Sequence, residues 1–160
     1  MNYARFEDLP VWQAASELAL GVFALGEKTP MRHRRSFRDQ IERAAVSISN
    51  NIAEGFERGT TQELLTFLYI ARGSAGEVRS MLCLAGRMND FSDFRYEISN
   101  LKSAAESVSR QLRGWAASLQ DSPIQGTRYL NSNLKKTEGF RREREEFLKE
   151  LRRYPKESKA

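Results

Sequence analysis

The chain has 160 residues, 40% hydrophobic and 29% charged, with 4 prolines and 10 glycines, enough for one compact domain and a remainder. One cysteine, Cys83, and one histidine, His33, exclude a disulfide framework, a Cys/His zinc site and a multi-histidine metal site, so no metal or cofactor is expected. The formal charge of +5 lies wholly in the tail: residues 1–121 hold 15 Lys+Arg against 15 Asp+Glu, and residues 122–160 hold 11 against 6.

No apolar run approaches the roughly 18 residues of a membrane span, and Met1–Leu9 lacks the apolar stretch of a signal peptide, so a soluble protein of a reducing, cytoplasmic compartment is expected. The first helical segment opens with Pro10 at its first position. Val11, Ala15, Leu18, Val22 and Leu25 then recur every three or four residues up to a stop at Gly26. The second is predicted to start with Thr29 as N-cap and Pro30 after it, to place Phe37, Ile41, Ala44, Ile48 and Ile52 on one face, and to end at Gly55 or Gly59. Near its start Arg32, His33, Arg34, Arg35 and Arg38 fall within seven positions. Arginine presents a planar fork suited to phosphate, so this cluster is a candidate nucleic-acid contact, the alternative being a solvated helix end.

In the third segment Thr60 and Glu63 have capping-box spacing, and Leu64, Leu68, Ala71, Ala75, Val78, Leu82 and Ala85 form an unbroken heptad seam. A second stripe, Phe67, Ile70, Ser74, Glu77, Met81, Leu84 and Met88, runs about 80° around the helix from it. A monomeric bundle needs only one apolar arc per helix, so Phe67, Ile70, Met81, Leu84 and Met88 are expected to face a second subunit. The fourth segment, from Ser92 or Asp93, gives Phe94, Ile98, Leu101, Ala105, Val108, Leu112, Trp115 and Leu119 before Pro123. No stretch alternates with period two long enough for a strand. The expected fold is therefore all-α: an up-down-up-down antiparallel four-helix bundle over residues 1–121.

Residues 122–139 lack periodicity and read as a linker. Beyond them Phe140, Phe147, Leu151 and Tyr154 line a short charged helix. Lys135, Lys136, Arg141, Arg142 and Arg144 make this region a basic arm able to neutralise phosphates. No interleaved aromatic platform is visible, so nucleic-acid binding should be directed to the backbone.

No catalytic constellation is evident, and no enzyme activity is expected. His33 has no partner suggested by spacing. The Arg and His pair of helical ribonucleases would need Arg at position 26, 27 or 28, where Gly26, Glu27 and Lys28 stand. Cys83, between Leu82 and Leu84, reads as a small inert side chain. Glu77 interrupts an apolar stripe, which favours a buried ion pair with Arg43, Arg58 or Arg72; Glu54 admits the same reading.

FEDLPVWQ at 6–13, QIERAAVSISNNIAEG at 40–55, Arg58 and FLYIARGSAGE at 67–77 resemble the bacterial four-helix-bundle family named for proteins encoded in intervening sequences of large-subunit ribosomal RNA genes. That family is related to the accessory protein (Avd) of diversity-generating retroelements. The resemblance covers about residues 6–120 and implies a homo-oligomer, commonly a ring of five. It also implies a nucleic-acid role, a reverse-transcriptase partner in the retroelement relatives, and no catalysis. His33 stands where an acidic residue is frequent, Ser49 where proline is, and Ala75 where a larger apolar residue is. In a ring, copies of a modest basic patch act together through effective concentration. The expected function is a non-enzymatic accessory that binds RNA or RNA/DNA; the alternative is a scaffold that binds only protein.

Overall fold

The computed structural model describes residues 3–121 and Glu146. The linker, the charged helix of the tail, and with them Lys135, Lys136, Arg141, Arg142 and Arg144, lie outside the described residues. The chain divides into two units, Met1–Gly126 and Thr127–Ala160, and the elements between Phe6 and Gln120 belong to the first.

A 3-10 turn at Phe6–Asp8 leads into α1 (Pro10–Gly26). There follow α2 (Thr29–Arg32), α3 (Arg35–Glu57), α4 (Thr61–Ala85), a second 3-10 segment (Asn89–Phe94) and α5 (Arg95–Gln120). The described residues contain no β-strand, and none of their helices is long and apolar enough to cross a membrane. Short connections make the four long helices antiparallel. α1 packs against α3 and α5, and α4 packs against the same two on the other side, which closes a four-helix bundle.

The heptad positions make the core. Val11, Ala15, Leu18, Val22 and Leu25 of α1, Ile41, Ala44, Ile48 and Ile52 of α3, the whole Leu64–Ala85 seam of α4, and Ile98, Ala105, Val108 and Leu112 of α5 are buried. Pro10 occupies the first turn of α1, where its missing N–H costs nothing. Thr60 caps α4: its Oγ1 accepts from the Glu63 backbone N–H at 3.2 Å and donates to Glu63 Oε2 at 2.7 Å.

The structure corrects four boundaries. The second segment is two helices, because α2 stops after one turn and Arg34, at φ −113° and ψ 60°, leaves helical geometry before α3 begins. Lys28, not Thr29, is the N-cap of α2, and fully buried Met31 pins that single turn to the core. Likewise α5 begins at Arg95, after the 3-10 segment has driven Phe91 into the core. Gly55 does not end α3 but lies inside it, buried. A Cβ there would stand 2.7 Å from Phe67 Cβ and 3.2 Å from Leu64 Cδ1, so glycine is what lets α3 and α4 approach.

Above that contact a polar strip joins the two helices. Gln40 Nε2 donates to Glu77 Oε1, Arg43 Nη2 donates to Gln40 Oε1 at 2.7 Å, and the Ser47 and Ser74 hydroxyls share a hydrogen bond of 2.9 Å. Asn51 Nδ2 donates to the Ser47 carbonyl at 2.7 Å and to Ser47 Oγ at 3.0 Å. Glu77 is therefore exposed and held by an amide, not buried against an arginine. Solvent reaches it because position 77 lies about 80° around α4 from the buried seam. Glu54 and Arg58 do pair, one turn apart, but at the surface and not buried, and Arg58 also stacks 5.1 Å from the Phe67 ring centroid. Arg72 is exposed.

Two outcomes are expected from urea denaturation. Gly55→Ala should lose about 1–3 kcal/mol by forcing α3 and α4 apart, whereas Gly73→Ala, where a Cβ meets nothing within 4 Å, should gain about 0.5–1 kcal/mol. Glu77→Ala should cost less than about 1 kcal/mol, as for other exposed polar contacts; a loss several times larger would show a buried pair.

Candidate nucleic-acid interface

Up-down connectivity brings the end of α1, α2, the start of α3, the end of α4 and the start of α5 to one end of the bundle. Two contacts confirm the juxtaposition across sequence. Arg34 Nε donates to Asp90 Oδ2 at 3.1 Å, and Lys28 Nζ lies 5.6 Å from the Phe94 ring centroid.

The neutrality of residues 1–121 conceals a polarity along the bundle axis. Taking the outer eight residues of each long helix with their turns, this end carries nine basic residues (Lys28, Arg32, Arg34, Arg35, Arg38, Arg79, Arg87, Arg95, Lys102) against six acidic ones. The opposite end carries three basic residues, Arg5, Arg58 and Arg113, against seven acidic ones.

Within the basic end the cluster singled out by sequence is largely neutralised. Arg32 Nη2 meets Glu27 Oε2 at 2.6 Å, and this hydrogen bond holds the Glu27 carboxyl below the usual carboxylate range. Arg34 is taken by Asp90. Arg38 Nε lies 3.7 Å from Glu42 Oε1 and 3.9 Å from Asp39 Oδ1. Arg35 is exposed, and no carboxylate among the described residues pairs with it. His33 is the exposed C-cap of α2; with Arg34 and Arg35 it lines an open depression that also contains Asp39.

A second cationic group, which the sequence reading did not find, surrounds a groove between the end of α4 and the start of α5. Its lining is Leu82, Cys83, Gly86, Arg87, Arg95, Ile98, Ser99 and Lys102, enclosing about 330 Å³. Three cations and no carboxylate line it, and none of the three forms an ion pair among the described residues. Arg95 Nη1 donates to the Gly86 carbonyl at 3.1 Å, which fixes its guanidinium and leaves four N–H donors. The signal was there: in an antiparallel helical hairpin, residues counted outward from the turn on each side become neighbours, as Arg87 and Arg95 do here. Exposed Cys83 sits on the groove wall. Tyr96, next to Arg95 in sequence, is 77% exposed, so an exposed aromatic ring does stand at this end.

The stripe expected to face a second subunit is divided. Met81 and Met88 are half-buried against the core of their own chain, Phe67 is half-buried beside Gly55 and Arg58, Ser74 and Glu77 are engaged by α3, and Ile70 and Leu84 remain exposed at 47% and 51%. Among the described residues no group of His, Cys, Asp and Glu could hold a metal ion.

Comparison with solved structures finds a protein of unknown function of the S23 ribosomal protein family from Bacteroides thetaiotaomicron. It superposes with a TM-score of 0.61 at 20% identity, covering 66% of this chain and 97% of that one, a likeness that shows a common fold. No curated protein matches. The family model for the 23S rRNA-intervening sequence proteins matches residues 7–114, from the 3-10 turn before α1 to the last turns of α5. The chain thus belongs to the 23S rRNA-intervening sequence protein family.

Proposed function

We propose that this protein is a non-enzymatic, homo-oligomeric accessory that binds nucleic acid, RNA foremost, through its phosphate backbone. The observation that carries the reading is the axial polarity: an otherwise neutral bundle gathers its arginines at one end and leaves Arg35, Arg87, Arg95 and Lys102 without carboxylate partners there among the described residues. A surface serving solubility alone does not need such segregation, whereas a polyanion is attracted to it and released from its counterions by it. Membership of a family named for ribosomal RNA intervening sequences supports RNA as the polyanion. The basic arm at 135–144 adds positive charge. The resemblance to the retroelement accessory protein supports a ring of five and a reverse transcriptase as protein partner.

Filter binding of a single-stranded RNA oligonucleotide to the full chain across a salt series tests the reading. Affinity should fall as salt rises, with a logarithmic slope of about 0.7 for each phosphate contacted. Changing Lys135, Lys136, Arg141, Arg142 and Arg144 together to Gln should weaken binding and flatten the slope. Absence of binding at low salt would sink the proposal in favour of a scaffold that binds only protein.

Assembly is tested separately. Ile70 and Leu84 are the apolar members of the second α4 stripe left exposed, so Ile70→Glu with Leu84→Glu should give a folded monomer by light scattering. A wild-type chain that is itself monomeric at micromolar concentration would overturn the homo-oligomer.

A further inference from the structure

We infer that the groove between the end of α4 and the start of α5 is a phosphate-binding site, with Arg87, Arg95 and Lys102 as its cationic ligands. The inference deepens the nucleic-acid reading and rests on it for the source of the phosphate.

Most arginines of the bundle are neutralised by a neighbour. Arg5, Arg32, Arg34, Arg38, Arg58, Arg79 and Arg110 each have a carboxylate within 4 Å, while Arg35, Arg43, Arg72 and Arg113 have none among the described residues but are not gathered with other unpaired cations around a common groove. Arg87, Arg95 and Lys102 are brought to one concavity that contains no acidic side chain. Three like charges around a shared groove repel one another, and Lys102 is half-buried, so water screens it only in part. An anion seated among them removes that repulsion.

The geometry suits a tetrahedral oxyanion better than a carboxylate or a halide. The guanidinium of Arg95 is positioned by its bond to the Gly86 carbonyl and keeps donors for a fork-like contact. Arg95, Ser99 and Lys102 recur at four and three residues on α5, which places guanidinium, hydroxyl and ammonium donors on one face, and Arg87 closes the groove from the turn after α4. The depression at 33–39 offers less, since Asp39 lines it and Arg34 must leave Asp90 before it can take a phosphate.

The test compares wild type, Arg87→Gln with Lys102→Gln, and Arg34→Gln with Arg35→Gln, all in the full chain. Arg95 is left in place because it also holds the Gly86 carbonyl. For single-stranded RNA at low salt, the groove pair should lose at least about tenfold in affinity and about 0.7 in salt slope, as expected for the one phosphate contact that the groove makes. The control pair should lose less. The melting temperature of the groove pair should equal or exceed that of wild type, since like charges have been removed from the groove. Equal losses in the two pairs would overturn the groove while leaving the nucleic-acid reading intact.

If wild type binds no RNA, that reading fails, and inorganic phosphate then judges the groove alone. Saturable shifts of the amide resonances of residues 95–99, abolished in the groove pair, uphold it; their absence in wild type overturns it. Equal affinity for 5′-hydroxyl and 5′-phosphorylated strands assigns the groove to internal phosphodiesters. A gain from the terminal phosphate assigns it to a strand end, and either result supports the site.

Discussion

Two apolar side chains hold the basic end of the bundle in place. Met31 and Phe91 sit in the α1–α3 and α4–α5 connections, and both are fully buried. Each is attached to a stretch too short to be stable alone, one turn of α helix and one 3-10 segment, so burial rather than propensity fixes the conformation. Because Met31 is seated, the arginines at 32–38 are displayed at the rim of the bundle. Because Phe91 is seated, Arg87 and Arg95 are held on the two sides of one groove.

The polarity of the molecule comes from side chains and not from its backbone. At the basic end α3 and α5 begin while α1 and α4 finish, so two partial positive helix ends offset two negative ones. What remains is the uneven placement of arginine, and its effect depends on which partners lie nearby. Local density of charge and availability of charge are different quantities here. The densest run, 32–38, is mostly spent on Glu27, Asp90 and Glu42, while the three cations of the α4–α5 groove are scattered in sequence and gathered in space.

The same distinction explains what could be read from the sequence. Heptad spacing locates all four long helices and most of the residues they bury, since burial on a helix follows directly from period 3.6 and is local, but it misses Met31 and Phe91, which lie in the connections. The Thr60 cap and the Pro10 start are local too. The break after Arg32 was hidden because Thr-Pro signals a helix start and nothing nearby signals that the helix stops a turn later. The role of Gly55 depends on Phe67, and the neutralisation of Arg34 on Asp90, 56 residues away; neither partner is visible from the residue itself. Glu77 was assigned to the interior because it interrupts an apolar stripe. That stripe proves to be a boundary, half-buried or engaged in places and open in others.

An interface built only from heptads is ambiguous along its own axis. Sliding α3 past α4 by seven residues, about 10 Å, would again set aliphatic positions against aliphatic positions. The hydrogen bonds from Gln40 to Glu77 and between Ser47 and Ser74 tolerate no such displacement, because each needs its partner at one height. They add little to stability from their exposed or half-buried positions, but they make one alignment of two repetitive surfaces distinguishable from its neighbours. The polar strip thereby works as an index mark: it sets how far α4 extends beyond the start of α3, and so the height at which the two basic turns meet.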